Sequence, residues 1–330
     1  MKVFNAFALL FFGAQAFATT VLVVTDQPKA AKAQEVAALF RATEPFSRMK
    51  DLKVKVIQTT PAKLGCQTAA ASAQDLRLTS EDSSAEDLSS EALANAEWRD
   101  RQMQPQGFID NLPASCHQKE SPISRLITCD TPQANRYLGS LAKSEKAKYA
   151  LVVKTDARYG GSGGTYAVMT TGSPAAMAIH ELMHQLGFAD EYSYTNACEA
   201  DIYCAGAAST TQAPAGFGWL PGSSFNIALF NARASYASNS AVRKIHGADI
   251  PWLSFIDLKT DLTSGGHLGS APKSGQVALF RSIVCDKATQ RAETWQSTTD
   301  TTIMKTLSTT HIPKDYWPTI AKALGTHITN

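Results

Sequence analysis

The chain has 330 residues, of which 44% are hydrophobic and 18% are charged, and its formal net charge is +2. This composition is typical of a globular protein that can bury a large core. The nearly balanced charge argues against a nucleic-acid partner and against binding to an anionic membrane surface, because both would require a basic excess.

The first 18 residues have the pattern of a signal peptide. Lys2 supplies a positive charge, an apolar run follows from Ala6 to Phe17, and Ala16-Phe17-Ala18 has the small residues that precede a cleavage site. The apolar run is shorter than the roughly 20 residues that a transmembrane helix needs. We therefore expect cleavage after Ala18, export to the periplasm or the medium, and no stable insertion into a membrane.

Six cysteines follow the expected cleavage site: Cys66, Cys116, Cys129, Cys198, Cys204 and Cys285. An even number of cysteines in an exported chain predicts disulfide bonds, although many pairings are possible and buried free thiols are the alternative. A preference for short loops favours Cys116–Cys129 and Cys198–Cys204, which leaves Cys66 with Cys285. None of these cysteines has the spacing of a structural zinc site.

The first predicted elements are a strand, a helix and a second strand. The β-branched run from Val21 to Val24 predicts a buried strand, and Lys29 to Phe40 has the apolar spacing of a helix. Val54 to Ile57 is the second predicted strand. The next stretch, residues 67–106, is rich in Ala, Ser, Asp and Glu, and we interpret it as a polar insertion. A solvated excursion, with a surface helix from Ser89 to Met103, is favoured over a flap beside an active-site cleft.

The middle of the chain predicts further alternation of helices and strands. Pro132 to Ala147 is a predicted helix, and Tyr149 to Lys154 is the strongest predicted strand. The glycine-rich segment from Tyr159 to Gly164 predicts a turn, and it lacks the order of a phosphate-binding loop. Tyr166 to Met169 is another predicted strand.

A well-delimited helix follows. Ser173 and Pro174 are typical of a helix start, and Gly187 is typical of the position just after a helix that runs to Leu186. Beyond it, we expect an irregular part over residues 190–330, with a strand from Val277 to Phe280 and a last helix from Tyr316 to Leu324. The whole pattern predicts a single α/β domain over residues 19–330 with a twisted mixed sheet.

The predicted helix carries His180-Glu181-Leu182-Met183-His184. Residues four positions apart lie on the same face of a helix, so the two imidazoles can bind one divalent cation. Glu181 lies beside the first histidine and can reach a water on the metal without being a ligand. The other face has an apolar stripe that is suited to a core; its members are Ile179, Leu182, Met183 and Leu186.

A catalytic zinc site requires a third protein ligand and an open position. Gly187 can adopt a left-handed conformation and turn the chain back beneath the metal. Asp190, six residues after His184, is then the expected third ligand, and Glu191 is the reserve candidate. The remaining histidines are expected to be solvated side chains, although His311 lies near Met304 in the sequence; they are His117, His246, His267, His311 and His327.

The segment from His180 to Tyr192, His-Glu-Leu-Met-His-Gln-Leu-Gly-Phe-Ala-Asp-Glu-Tyr, resembles the metzincin clan of zinc peptidases. It is more closely similar to the bacterial IgA-peptidase-like metallopeptidase family, whose members precede this motif with a glycine-rich turn like that from Tyr159 to Gly164. Glu44-Pro45-Phe46, followed by the Val54 to Ile57 strand, also looks like the beginning of that family. The resemblance is strong from Tyr149 to Tyr192.

This resemblance implies a zincin/metzincin-like catalytic domain and a zinc-dependent peptidase that acts on a protein or peptide substrate. It implies that Zn²⁺ is bound by His180, His184 and Asp190, that Glu181 is the general base, and that Met304 forms a methionine turn beneath the metal. The alternatives are a vestigial zincin fold with a binding or structural role and a zinc hydrolase that acts on a non-peptide bond.

Overall fold

The computed structural model describes residues 19–68, 127–129, 131–163, 165–194, 197, 200, 204, 224–263, 275–288 and 293–329. The predicted signal peptide, the predicted surface helix from Ser89 to Met103 and nearly all of the predicted polar insertion lie outside these ranges. Within the described ranges, no helix is both long enough and apolar enough to span a bilayer.

A five-stranded mixed sheet forms the centre of the fold. Its strands are β1 (Thr19–Thr25), β2 (Leu52–Gln58), β5 (Ala147–Lys154), β6 (Gly161–Ser162) and β7 (Ala167–Thr170). Their spatial order is β2-β1-β5-β7-β6. The first four strands in the spatial order are parallel, and β6 pairs antiparallel to β7 at the edge. The predicted α/β class with a mixed sheet is therefore confirmed.

Strand β1 lies inside the sheet and is apolar on both faces. Alternate side chains of β1 enter two different hydrophobic clusters: Val21 and Val23 lie on one side, and Leu22 and Val24 lie on the other. This is the pattern expected of a parallel strand that is covered on both faces, and it explains the continuous β-branched run in the sequence.

Helices cover both faces of this sheet. The face with Val21 and Val23 packs against three helices: α1 (Ala31–Ala42), α4 (Ala176–Gln185) and α6 (Trp317–Leu324). The opposite face packs against α3 (Pro132–Ser144) and Leu64 of the short helix α2 (Pro61–Leu64). The predicted helices at these places are confirmed, apart from shifts of a few residues at their ends.

The part after residue 190 is more regular than the sequence indicated. Strands β8 (Ile227–Leu229), β9 (Phe280–Ser282) and β10 (Thr294–Gln296) form an antiparallel sheet in the order β8-β10-β9. Helix α5 (Asn239–His246) contributes Val242 to a core that also contains Trp295 and Trp252. The strand expected from Val277 begins only at Phe280.

In the described part of the chain, two disulfide bonds connect Cys66 with Cys129 and Cys204 with Cys285. The three predicted pairings were wrong, because each included a cysteine that has a different partner; Cys116 and Cys198 lie outside the described residues. The Cys66–Cys129 bond lies next to the pairing of β3 (Gln67–Thr68) with β4 (Ile127–Thr128). The fold brings these distant segments together, so loop length alone is a poor guide to the pairing.

Candidate metal centre

Helix α4 positions the two histidines, and it begins later than the sequence indicated. It spans Ala176–Gln185, and its N-cap residue, Ala175, makes no side-chain capping bond. Ser173 instead bonds to the segment before β6: its hydroxyl donates to the carbonyl of Gly160 (2.8 Å) and accepts from the Gly160 N–H (2.9 Å). Ser173 therefore ties the start of α4 to the glycine-rich segment rather than capping the helix.

Helix α4 ends at Gln185, one residue before the predicted end, and Gly187 follows its C-cap residue, Leu186. Gly187 has a φ of 93°, which is the left-handed region that glycine adopts without steric strain. Its N–H donates to His184 O, and the N–H of Phe188 donates to Met183 O, both at 3.0 Å. This pair of bonds is the Schellman arrangement, and it turns the chain so that Asp190 returns towards the helix.

Three ligand atoms converge at this turn. Nε2 of His180 lies 3.1 Å from Oδ1 of Asp190, and Nε2 of His184 lies 3.3 Å from the same oxygen. The two Nε2 atoms are 3.2 Å apart. The side chains of the three residues are at most 10% exposed, and together they could hold a metal ion.

The hydrogen bonds of the histidines leave both Nε2 atoms facing the centre. Nδ1 of His180 lies 2.9 Å from Ile303 O, and Nδ1 of His184 lies 2.8 Å from Phe188 O. A carbonyl oxygen only accepts, so each Nδ1 carries a proton and donates it. In the neutral imidazoles both Nε2 lone pairs therefore point at each other and at Oδ1 of Asp190, a buried oxygen without a hydrogen-bond partner. Such an arrangement favours a bound cation.

The pKa shifts of the three groups also favour a bound cation. Burial disfavours the charged form of all three groups, but the carboxylate of Asp190 outweighs it and raises the pKa of His180 and His184. In the same way, the two imidazoles outweigh burial and hold the pKa of Asp190 below its usual range. The hydroxyl of Tyr194 also donates to Oδ2 of Asp190 at 3.3 Å. The ionised carboxylate of Asp190 thus favours positive charge at this centre.

Glu181 and the glycine-rich segment lie together beside the ligands. A Cβ atom added to Gly161 would lie 2.9 Å from Oε1 of Glu181, and one added to Gly163 would lie 2.9 Å from Cβ of His184. The segment was predicted to be a turn, but Gly161 and Ser162 form the edge strand β6, and none of its described glycines has a positive φ. These glycines allow close approach to α4 rather than an unusual backbone conformation.

The reserve ligand candidate, Glu191, does not face the metal centre. Its buried carboxylate accepts hydrogen bonds from Asn226, Thr302 and Tyr316. Burial raises the pKa of Glu191, and these donors act in the opposite sense. Of the two acidic residues, only Asp190 is placed with the histidines.

Met304 lies in a tight turn close to the ligands. The N–H groups of Lys305 and Thr306 both donate to Thr302 O, and Met304 is fully buried. Its side chain belongs to the same hydrophobic cluster as Leu182 and Met183 of α4. Its own carbonyl accepts from the N–H of Glu191 at 3.0 Å. The turn therefore shares a hydrophobic core with α4, and the carbonyl of Met304 binds the segment that carries Asp190.

The other described histidines are not ligands of this centre. His311 and His327 are exposed, as expected, and the ring of His311 lies 3.7 Å from Asp300. The prediction for His246 was wrong: it is buried, it stacks on Phe230, and Nε2 lies 2.9 Å from the hydroxyl of Tyr236. The second hydrophobic core of the C-terminal part, absent from our prediction, accounts for this burial. His117 and His267 lie outside the described residues.

Sequence reasoning missed the residues that hold the third ligand in place. The side chain of Asn226 accepts from the N–H of Ala189 and donates to its carbonyl, both at 2.8 Å. Tyr194 contacts Asp190 directly. Asn226 belongs to no motif, but Tyr194 could have been suspected from its position four residues after Asp190.

Comparison with models of known protein families and with curated proteins gives no match for this chain.

Proposed function

We propose that the chain is a zinc-dependent endopeptidase, with His180, His184 and Asp190 as the metal ligands and Glu181 as the general base. The observation that carries this proposal is that two Nε2 atoms and one carboxylate oxygen lie 3.1–3.3 Å from one another. The two histidines belong to a His-Glu-x-x-His motif on one helix, and the carboxylate follows that helix. The similarity of the residues around this motif to zinc peptidases supports the choice of substrate.

The donor set suits zinc. Ligand atoms about 2.0–2.1 Å from a tetrahedral zinc lie roughly 3.3–3.4 Å from one another, close to the separations seen here. Two imidazoles and one carboxylate are common zinc ligands, and three protein ligands leave a position for water or substrate. Both Nδ1 atoms donate to backbone carbonyls, which is the usual second interaction of zinc-binding histidines.

A zinc ion bound here would supply a Lewis acid that polarises a peptide carbonyl and lowers the pKa of a water molecule. Glu181 accepts a proton from that water as its oxygen attacks the carbonyl carbon. The same carboxyl group then gives the proton to the amine nitrogen as the C–N bond breaks. Burial of Glu181 against Gly161 restricts the carboxylate to this side of α4.

The sheet edge near the metal centre suits an extended polypeptide substrate. Strand β7 is paired on both sides, with β5 and with β6, so it has no free edge for a substrate. The edge strand next to β7 is β6; its residue Gly161 approaches Glu181, and Gly163, just after β6, approaches His184. An extended peptide that added to β6 would bring its carbonyls past the metal centre.

The two disulfide bonds are typical of proteins that fold in an oxidising compartment. Together with the N-terminal sequence pattern, they support export to the periplasm or the medium. A peptidase in either place would meet proteins and peptides as substrates.

The decisive experiment is Glu181→Gln in the mature chain. We expect about one zinc per chain, as in the wild type, with peptide hydrolysis reduced by roughly 10²–10⁴-fold, because the base is lost while the ligands remain. Glu35→Gln is a matched control, since Glu35 lies on α1 with 56% of its side chain exposed. Normal hydrolysis by the Glu181 variant would refute the assigned role.

A panel of peptides and esters tests the substrate class. Hydrolysis of peptides that disappears in the Glu181 variant supports an endopeptidase. Hydrolysis of esters alone would indicate a zinc hydrolase of another bond, and zinc binding without hydrolysis of either class would favour the vestigial site.

A further inference from the structure

Three segments that are distant in sequence meet at the carboxylate of Glu191, which is 1% exposed. Asn226 Nδ2 donates to Oε1 at 2.9 Å, and the Tyr316 hydroxyl donates to the same oxygen at 2.6 Å. The Thr302 hydroxyl donates to Oε2 at 2.5 Å. A carboxylate suits this place because it offers two acceptor oxygens and no donor.

One side of this network fixes the segment that carries Asp190. Glu191 follows Asp190 directly, and its N–H is bound by Met304 O. Asn226, which donates to Glu191, also binds both backbone groups of Ala189. The residues before and after Asp190 are therefore both held, which restricts the position of the carboxylate between them.

The other side of the network reaches a different ligand. Thr302 directly precedes Ile303, whose carbonyl accepts the Nδ1 proton of His180. The bond from Thr302 to Glu191 thus anchors the residue before that carbonyl. One buried carboxylate is connected to the position of Asp190 and to the orientation of His180.

We propose that Glu191 is a positioning residue of the metal site, which fixes the third ligand and the hydrogen-bond partner of the first ligand together. This inference rests on metal binding in the proposed function and not on peptidase activity. Loss of interactions around metal ligands weakens metal affinity by about 10- to 100-fold.

The test is Glu191→Gln in the full mature chain, because glutamine keeps the shape of the side chain but replaces one of its two acceptor oxygens with an NH₂ group. Zinc affinity is measured by competition with a chromogenic chelator, and the ligand geometry is measured from the visible spectrum of the Co²⁺-loaded chain. We expect zinc affinity to fall by about 10- to 100-fold and the Co²⁺ bands to shift. If Glu191 had only a structural role, Glu191→Gln would lower the thermal stability of the metal-free chain. The zinc affinity and the Co²⁺ spectrum of the folded protein would then stay unchanged.

Two further variants complete the experiment. Asp26→Asn also neutralises a buried carboxylate, but its partners are Lys154 and Thr155, so zinc affinity and the Co²⁺ spectrum should stay those of the wild type. Tyr316→Phe removes one donor to Glu191 and keeps the ring that lies 5.0 Å from that of Phe188. For this variant we expect an affinity loss of about 3- to 10-fold.

Wild-type affinity and spectrum in Glu191→Gln would overturn the inference. If that variant does not fold, unchanged affinity and spectrum in Tyr316→Phe would overturn it instead. Failure of the wild-type chain to bind zinc would overturn the proposed function as well, so the two failures are distinguishable.

Discussion

Nδ1 of His180 donates to the carbonyl oxygen of Ile303, which lies 2.9 Å away and 123 residues later in the chain. This bond fixes the tautomer of the histidine and directs Nε2 towards His184 and Asp190. The metal centre is therefore not a property of the His-Glu-x-x-His helix alone. It also requires the tight turn at Met304, which follows the antiparallel sheet of the C-terminal part in the sequence.

The contact between Gly161 and Glu181 gives a first prediction. In Gly161→Ala, the new Cβ would lie 2.9 Å from Oε1 of Glu181 and 3.0 Å from Val168 O, so the carboxylate or the edge strand must move. Because displacement of a catalytic group by about 1 Å can lower the rate roughly 100-fold, we expect a loss of at least tenfold in kcat/KM. Zinc content, measured in the same preparation, should be unchanged.

Gly139→Ala is the matched control for this substitution. The nearest atom to a Cβ at Gly139 is the Tyr166 hydroxyl, 3.9 Å away, and the residue lies in the middle of α3. Alanine is favoured there by about 0.5–1 kcal/mol over glycine, so this variant should be slightly more stable and fully active. Equal activity in both variants would show that the close approach at Gly161 is not needed.

The sequence was sufficient to predict the parts of the fold that local patterns determine. Strand β1, helix α4 and Gly187 are specified by neighbouring residues, through β-branched runs, helical spacing and a left-handed position. The three candidate ligands also came from spacing along one helix and one turn. Zinc, peptide hydrolysis and the metzincin fold remain predictions.

The rest could not be predicted because it depends on contacts between distant segments. Asn226, Thr302 and Tyr316 are common residues without a motif, and only the folded chain brings them to Glu191. The cysteine pairing failed for the same reason, since a preference for short loops ignores which segments the sheet brings together. His246 is buried in a core that the glycine- and serine-rich sequence after Gly187 did not indicate.

Asp26 provides a prediction about stability and pH. Its buried carboxylate pairs with Lys154 and accepts from the N–H of Thr155 at 2.6 Å, and these contacts outweigh burial and lower its pKa. Asp26→Asn should lower the free energy of unfolding at neutral pH by about 1.5–3 kcal/mol, the usual contribution of hydrogen bonds to charged groups. Urea unfolding followed by circular dichroism measures this difference.

The sign of the pH effect follows from the lowered pKa. Stability from ionised Asp26 is fully present above the pKa of the unfolded chain, about 3.9, and is lost as the pH falls through the lower folded pKa. The difference between the wild type and Asp26→Asn should therefore shrink in strongly acidic solution. A difference that grew on acidification would contradict the ion pair.

The disulfide bonds give a third prediction, which concerns the pairing itself. Peptide mapping without reduction should recover Cys66 linked to Cys129 and Cys204 linked to Cys285. The double variant Cys204→Ala/Cys285→Ala removes a bond between residues 81 positions apart and should lower the free energy of unfolding by about 2–5 kcal/mol. Recovery of a Cys198–Cys204 peptide would reject the pairing described here.

The metal ligands give the last prediction, because a cation that binds only the folded chain stabilises it. At a free zinc concentration about 100 times Kd, the gain is about 2.7 kcal/mol, so zinc should raise Tm and a chelator should reverse the increase. Asp190→Ala removes the third ligand and should abolish most of this increase, together with most of the bound zinc measured by atomic absorption. Asp26→Asn should lower Tm but keep the full increase on zinc addition, since its partners are Lys154 and Thr155. An undiminished zinc response in Asp190→Ala would mean that Oδ1 of Asp190, although buried and without a hydrogen-bond partner, is not needed to hold the ion.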